Sequence, residues 1–121
     1  MMSIQKFEDL IAWQKAQDIA IDIYAIFVDS RDWSFKDQIC RAAVSISNNI
    51  AEGFDRQSNK EFIRFLYISL GSASEVKSML YLAKKLGYLD DTAFQKHYEQ
   101  SVEIAKVITG LIKSLKLKTD Y

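Results

Sequence analysis

The 121-residue sequence contains no proline, one cysteine, one histidine and four glycines. The lone Cys40 excludes an internal disulfide framework and fits a reducing compartment. With His97 as the single histidine and no Cys-x-x-Cys pair, the ligand sets typical of bundle metal sites are missing. Gly-rich phosphate loops and Gly-x-Ser-x-Gly elbows are absent too. The sequence therefore predicts no metal, no other cofactor and no enzymatic activity.

Charge and hydrophobicity narrow the class of protein further. No segment approaches the ~20 consecutive apolar residues that span a bilayer, and residues 1–10 carry charges where a signal peptide has its apolar core. We therefore expect a cytoplasmic protein that is not attached to a membrane. With 16 basic and 16 acidic residues the net charge is zero, so the strongly basic footprint of a nucleic-acid-binding domain is missing. The length fits one domain, 1–121.

Because proline and glycine are scarce, the helical period can be followed over long segments. Apolar residues recur at steps of three and four in four segments, at about 7–28, 35–54, 59–86 and 91–116. No segment alternates at the two-residue period of a strand. Short connections favour antiparallel neighbours, so the sequence predicts an all-α fold, an antiparallel up-down-up-down four-helix bundle.

Local signals mark where these helices begin and end. Ser34, with Asp37 three residues later, predicts the start of the second helix. Ser58 and Glu61 form a capping box, in which each side chain can bind the backbone amide of the other residue. Gly87 is the residue type expected just after the third helix.

The first helix is more apolar than a helix of a monomeric bundle needs to be. Residues 19–28 read IAIDIYAIFV, with Asp22 as their only charge. One interpretation is that the long third helix covers its second face. The other is a subunit interface, because monomers seldom leave a large apolar patch in water. Charge favours the second interpretation: residues 1–37 carry 4 basic and 7 acidic groups (−3), and residues 106–121 carry 4 and 1 (+3). Such opposite ends suit a head-to-tail contact.

A polar stripe runs along the second helix. Its members follow at steps of three and four and are Gln38, Arg41, Ser45, Asn49, Glu52 and Arg56. Ser72 and Glu75 of the third helix are spaced to face it, which predicts an interhelical network with a bond such as Arg41 to Glu75. The ordinary alternative is a solvated face. A further alternative uses Glu52 and Glu75 as a catalytic acid and base.

Two other chemical interpretations depend on single residues. Cys40 lies among small and apolar neighbours, so we expect a buried, inert thiol rather than a Cys40–His97 dyad. We expect His97 itself at the surface or boundary of the fourth helix. For nucleic acid, the candidate contacts are Arg56, Lys60 and Arg64 together with the C-terminal lysines, and Tyr67 and Tyr81 are available for stacking if exposed.

The segment from Gln38 to Glu75 resembles the 23S rRNA intervening-sequence protein family. The family pattern begins with a glutamine followed by two arginines, two alanines and a serine, matched here by Gln38, Arg41, Ala42, Ala43 and Ser45. Its Asn-Ile-Ala-Glu-Gly centre stands at residues 49–53, and its Gly-Ser-x-x-Glu close at residues 71–75. The flanks also agree, with Phe-x-x-Leu-x-x-Trp at residues 7–13 and Leu-Gly-Tyr-Leu at residues 86–89.

The resemblance implies a non-enzymatic four-helix bundle that assembles as a ring-like homopentamer. The family is named for reading frames inserted in bacterial large-subunit rRNA genes, and its molecular role is poorly defined. It is similar to the accessory protein of diversity-generating retroelements, which binds reverse transcriptase and nucleic acid. The implied partners are therefore further copies of the chain and RNA or a reverse-transcriptase-like protein, with Arg41, Arg56, Lys60 and Arg64 as candidate contacts. A purely structural assembly subunit is the alternative.

Three features depart from the family pattern, and one of them is that the loop before the second helix lacks the proline that is common there. Cys40 precedes Arg41 where two adjacent arginines are common, so one cation is absent. Ser47 stands where proline is common, which predicts a straighter second helix because no backbone hydrogen bond is missing there.

Overall fold

The computed structural model describes residues 4–119, and within them the chain is helical without strands. A 3₁₀ turn, Phe7–Asp9, precedes four α-helices: α1 (Ile11–Ile26), α2 (Trp33–Phe54), α3 (Asn59–Lys85) and α4 (Asp91–Thr119). Each helix packs against the next in sequence, and α1 also packs against α4. Contacts are absent between α1 and α3 and between α2 and α4 in the described part, so these pairs occupy the diagonals. The predicted up-down-up-down bundle is confirmed.

The first helix is shorter than predicted at both ends, and the second begins earlier than predicted but ends at Phe54 as expected. Leu10 adopts an extended backbone, with φ −76° and ψ 127°, and separates the 3₁₀ turn from α1. At the start of α2 the capping residue is Asp32 rather than Ser34, because the Asp32 carboxylate accepts the backbone N–H of Phe35 at 3.1 Å. This cap extends the helix by two residues at its beginning.

The ends of α3 follow their sequence signals closely. The Ser58 hydroxyl accepts the backbone N–H of Glu61 at 3.2 Å. Only this half of the capping box forms, because the Glu61 carboxylate pairs with Arg64 instead. Gly87 has φ +79°, which is the left-handed conformation, and the N–H of Tyr88 bonds the carbonyl of Ala83 at 2.8 Å. These are the features of a glycine-terminated helix.

The core is drawn from all four helices, as the period of the sequence predicts. Apolar side chains that are nearly inaccessible include Ile19 and Ile23 on α1, Ile39, Ile46 and Ile50 on α2, Leu66, Val76 and Leu80 on α3, and Ile104 and Ile108 on α4. Burial of such a side chain stabilises the fold by about 1.5–3 kcal/mol.

Two helices approach each other closely at Gly53, near the end of α2. A Cβ at this position would sit 2.6 Å from Cβ of Phe65 and 3.0 Å from the ring of Phe62, both on α3. Real Cβ atoms do not tolerate such distances, so glycine is required for α2 and α3 to pack this closely. Phe54 and Phe62 then meet edge to face, with ring centroids 5.8 Å apart.

We predict that Gly53→Ala lowers the free energy of unfolding by about 1–3 kcal/mol, because the added methyl group forces α3 away. The matched control is Gly110→Ala on α4, where nothing lies within 4 Å of the added methyl group. The control should gain about 0.5–1 kcal/mol from helix propensity. Urea unfolding followed by circular dichroism measures both, and equal effects of the two substitutions would contradict the close approach.

Candidate interaction surfaces

Several large apolar side chains are exposed along α1 and just after its end. We call the exposed apolar residues Ile11, Ile21, Tyr24 and Val28 the α1 face; Ile21 and Val28 have 63% and 61% of their surface exposed. The interpretation in which α3 covers this side is wrong, because α3 lies diagonally across the bundle and makes no contact with α1 in the described residues. The chain itself leaves the α1 face in water.

A groove of about 650 Å³ adjoins the α1 face, where α1 ends and α2 begins. Its lining residues are Tyr24, Val28, Trp33, Lys36, Asp37 and Cys40. Trp33 has 68% of its surface exposed, and the ammonium of Lys36 lies 5.4 Å from its ring centroid. The groove therefore extends the α1 face with a large aromatic surface and a rim of both charges.

Cys40 lies at the base of this groove and is buried. Burial is the largest influence on its thiol and raises its pKa, against a smaller lowering by Lys36. A raised pKa keeps the thiol protonated, which makes it a poor nucleophile. The expected dyad partner, His97, lies on α4, which does not contact α2 in the described chain.

The polar network between α2 and α3 forms in its middle part. The hydroxyl of Ser72 donates to that of Ser45 at 2.8 Å, and the Asn49 amide donates to the same hydroxyl at 2.9 Å. Gln38 donates to the Glu75 carboxylate at 3.3 Å. The sequence-predicted residues Gln38, Ser45, Asn49, Ser72 and Glu75 are thus brought together along one helix pair.

Arg41 does not join that network. Its guanidinium pairs with Asp37 of the same helix at 3.0 Å, and its side chain is 80% exposed. The expected bond from Arg41 to Glu75 is therefore wrong. Arg41 and Asp37 lie one turn apart on the same helix, so their side chains meet on its surface. The Glu75 carboxylate already accepts a hydrogen bond from the shorter side chain of Gln38.

Glu52 and Glu75 do not share a site. Glu52 pairs with Arg56 at 2.9 Å, while Glu75 binds Gln38. Gln38 precedes Glu52 by 14 residues on α2, which is about 21 Å of helix axis. An acid and base acting on one bond need carboxylates within about 10 Å, so the catalytic pair considered above is wrong.

Two buried serines form interhelical bonds that the polar stripe did not predict. Ser47 is fully buried and its hydroxyl accepts the amide of Gln17 on α1 at 2.9 Å. Ser69 donates to the carbonyl of Ile46 at 2.7 Å. The sequence signal that could have found these bonds is a serine on an apolar stripe, because a buried hydroxyl needs a hydrogen-bond partner. At Ser47 the departure from proline thus provides a contact between α1 and α2.

His97 is buried, with 5% of its surface exposed, and the expected surface position is wrong. Its Nδ1 lies 2.7 Å from Oε1 of Gln100, whose Nε2 donates to Asp22 on α1 at 2.8 Å. In the sequence His97 lies three residues after Phe94, which belongs to the apolar stripe of α4. The sequence pattern could not show that α1 covers this side of α4.

The nucleic-acid candidates are divided between two regions. Arg56 and Arg64 both place their guanidinium carbons 4.6 Å from the ring centroid of Phe65, so the structure brings them together. Lys60 lies exposed on the turn of helix between them. Arg41 lies 13 residues before the end of α2 at Phe54, about 20 Å along the axis. Arg56 follows that end, so Arg41 belongs to another surface.

Carboxylates neutralise much of this cationic surface. Arg56 pairs with Glu52, and Arg64 pairs with Glu61 at 3.2 Å. The hydrogen bond from Arg64 is the main cause that lowers the pKa of Glu61, so this carboxylate is ionised and cancels the arginine.

Exposed tyrosines accompany the cations on α3. Tyr67 is 48% exposed, and Lys116 of α4 donates to its hydroxyl at 2.9 Å. Tyr81 is 45% exposed but packs against Phe94 and Tyr98. Tyr67 therefore combines an exposed ring with a neighbouring cation, the ammonium of Lys116.

Within residues 4–119, no group of three or more His, Cys, Asp or Glu side chains is placed to hold a metal ion. No helix in the same part of the chain has the length and apolar character needed to cross a membrane.

Comparison with known proteins gives the family. The model of the 23S rRNA-intervening sequence protein family matches residues 8–110. The chain belongs to this family. A solved structure from Bacteroides thetaiotaomicron VPI-5482, described as a protein with unknown function from the S23 ribosomal protein family, has a TM-score of 0.80 and 29% identity. The match covers 85% of this chain and 99% of that chain. No curated protein matches the chain.

The turn that carries Trp33 and the groove is fixed by Asp32. While one carboxylate oxygen caps α2, the other accepts the hydroxyl of Tyr88, from the α3–α4 turn, at 2.6 Å. Two hydrogen bonds lower the pKa of Asp32. The bond from the Tyr88 hydroxyl has the larger effect, and the bond from the backbone N–H of Phe35 has the smaller. A lowered pKa means that the folded state favours the ionised carboxylate, so this stabilisation is present at neutral pH and disappears as the pH falls through the folded-state pKa.

We predict that Tyr88→Phe lowers the melting temperature at pH 7 and has a smaller effect near pH 2. The substitution removes one bond to the ionised Asp32, and at low pH that carboxylate is protonated in both proteins. Thermal unfolding between about pH 2 and pH 7 measures the difference. A difference that is independent of pH would show that Tyr88 acts through packing on Phe35 instead.

Proposed function

We propose that the protein is a non-enzymatic helical-bundle scaffold that works as a homo-oligomer. The observation that carries this proposal is the α1 face, whose large apolar side chains line one side of a helix that no other part of the described chain covers. Contiguous exposed apolar surface marks interaction sites, because contact with another surface removes it from water.

Several observations support a second copy as the partner. The zero net charge leaves little long-range repulsion between copies. The family resemblance implies a homopentamer. The buried thiol of Cys40 is compatible with a reducing environment, and we propose that the assembly works in the cytoplasm.

We predict that light scattering on a size-exclusion column gives a mass several times the 13.9 kDa of one chain. Five copies correspond to about 70 kDa. Ile21→Glu should reduce this mass because it places a charge in the middle of the α1 face. The matched control is Leu117→Glu on α4, where the side chain is also largely exposed, at 72%. A wild-type mass of one subunit would contradict the proposal.

RNA binding by this scaffold is a second candidate function, and the cluster of Lys60, Arg64, Tyr67 and Lys116 favours it. The Tyr67 ring is exposed beside a lysine ammonium 5.3 Å from its centroid. Exposed aromatic rings beside cations bind single strands by stacking and by phosphate contact. The family resemblance implies the same partner class, RNA or a reverse-transcriptase-like protein that handles it. The alternative is a structural subunit that binds no nucleic acid.

For this candidate we predict that a single-stranded RNA oligomer binds with an affinity that falls steeply with salt. The double variant Lys60→Gln with Lys116→Gln should reduce the slope of log affinity against log salt by about 0.7 for each phosphate that the protein no longer neutralises. The matched control is Lys96→Gln in the first part of α4, where the side chain is also exposed. Binding that is insensitive to salt, or equal slopes for the two variants, would contradict RNA binding at this surface.

A further inference from the structure

A cavity of about 330 Å³ opens at the end of the bundle where α2 leads into α3. Leu10, which precedes α1, and Leu111 of α4 line it together with residues of the α2–α3 turn. The turns that carry Trp33 and Tyr88 lie at the opposite end of the bundle. We call this space the basal cavity. It shares no described lining residue with the α1 face or with the groove beside that face.

The floor of the basal cavity is apolar and comes from three helices and from the residue before α1. Phe62 and Leu115 are each 8% exposed and belong to the core. The half-buried residues Leu10, Phe54 and Leu111 pack against that core and also line the cavity. An apolar group that enters the cavity therefore replaces water over an apolar surface, which favours binding.

The charged residues at the rim of the basal cavity are basic. Within the described part of the chain these are Arg56, in the α2–α3 turn, and Lys118, near the end of α4. Glu52 binds the Nη2 group of Arg56 at 2.9 Å, and a guanidinium has further N–H donors to offer. The Lys118 ammonium has no hydrogen-bond or ion-pair partner among residues 4–119. The cavity thus combines an apolar floor with a positive rim.

The surroundings of the rim add to its positive charge. Residues 106–118 contain four lysines and no acidic residue, and this segment of α4 ends beside the cavity. The acidic residues nearest to Arg56 in the sequence do not line the cavity. Two of them, Glu52 and Glu61, already form ion pairs with arginines. A negatively charged group at the rim therefore meets an excess of positive charge, which attracts it.

We infer that the basal cavity binds a free medium-chain fatty acid as its carboxylate. The acyl chain lies against the apolar floor, and the carboxylate lies at the rim with Arg56 and Lys118. Ser58 and Asn59 also line the cavity, and their hydroxyl and amide groups can donate to carboxylate oxygens. At the roughly 30 Å³ that one water occupies, the cavity holds about ten non-hydrogen atoms, which is the size of octanoate.

This site is separate from the surfaces proposed above for assembly and for RNA. None of Lys60, Arg64, Tyr67 and Lys116 is among the described residues that line the basal cavity. A nucleotide has no acyl chain to place on the apolar floor, whereas a fatty acid uses both the floor and the rim. The inference therefore stands or falls independently of the proposed function.

Isothermal titration calorimetry with octanoate tests the inference. We expect one ligand per chain, with a dissociation constant of about 1 mM or below. Each buried CH₂ adds hydrophobic stabilisation, so the affinity should rise by about two- to fourfold per carbon from butanoate to octanoate. It should level off beyond decanoate, because a longer chain extends out of the cavity. Methyl octanoate keeps the chain without the charge and should bind more weakly.

A pair of lysine variants tests the rim. Lys118→Gln removes the unpaired cation and should weaken octanoate binding by about three- to tenfold. The matched control is Lys113→Gln, which is also exposed on α4 but does not line the cavity, so its affinity should equal that of the wild type. Both substitutions replace an exposed side chain, and circular dichroism checks that both variants keep the helical fold.

Backbone amide signals in NMR spectra locate the ligand. Octanoate should shift the amide signals of Ser58, Phe62 and Leu115 and leave those of Val28 and Trp33 unchanged. Shifts at Trp33 in place of these would put the ligand in the groove and overturn the inference. The same holds for no binding at millimolar octanoate, for equal affinity of the methyl ester, and for equal losses in the two lysine variants. An affinity that keeps rising beyond decanoate would show adsorption to exposed apolar surface and would also overturn it.

Discussion

The packing of α2 against α3 is the constraint on which the rest of the structure depends. At one end Gly53 lets the two backbones approach, and along the pair Ser69 reaches the carbonyl of Ile46 while Ser72 bonds Ser45. These contacts fix α2 and α3 as neighbours over most of their length. Short turns then place α1 beside α2 and α4 beside α3, which leaves α1 and α3 on a diagonal. The exposure of the α1 face follows from this arrangement.

The sequence determines much of the fold because helical periodicity is a local property. Four helices, the Ser58 cap and the left-handed Gly87 follow from patterns only a few residues long. Periodicity also showed that residues 19–28 carry more apolar side chains than one buried side of a helix needs. It could not decide which neighbour covers that helix, because this depends on the order of helices around the bundle, which short patterns do not contain.

The hydrogen-bond partners of the polar residues were harder to predict, because each side chain on a polar stripe has several possible partners and the spacing of the stripe does not choose between them. Ser45, Asn49 and Ser72 have short side chains that reach only across the close α2–α3 pair, so their contacts follow from geometry. Arg41 is long enough to choose between helices and takes Asp37 on its own. The exposure of Ile68 and Leu82 on α3 could not be predicted, because Gly71, Glu75 and Ser78 separate them in the sequence pattern.

The chain of polar contacts from His97 through Gln100 to Asp22 also has a consequence for how α4 can lie on α1. Gln100 donates to Asp22 through its nitrogen, so its oxygen is the atom that faces His97 and accepts a hydrogen bond from the Nδ1–H of the imidazole. Every bond in the chain therefore has a fixed direction. A slip of α4 by one turn, about 5.4 Å, would carry the Gln100 amide away from Asp22 and leave this part-buried donor without its partner, which is costly away from water. Apolar contacts tolerate such slips, whereas these three side chains define a single register for the seam between the first and last helices.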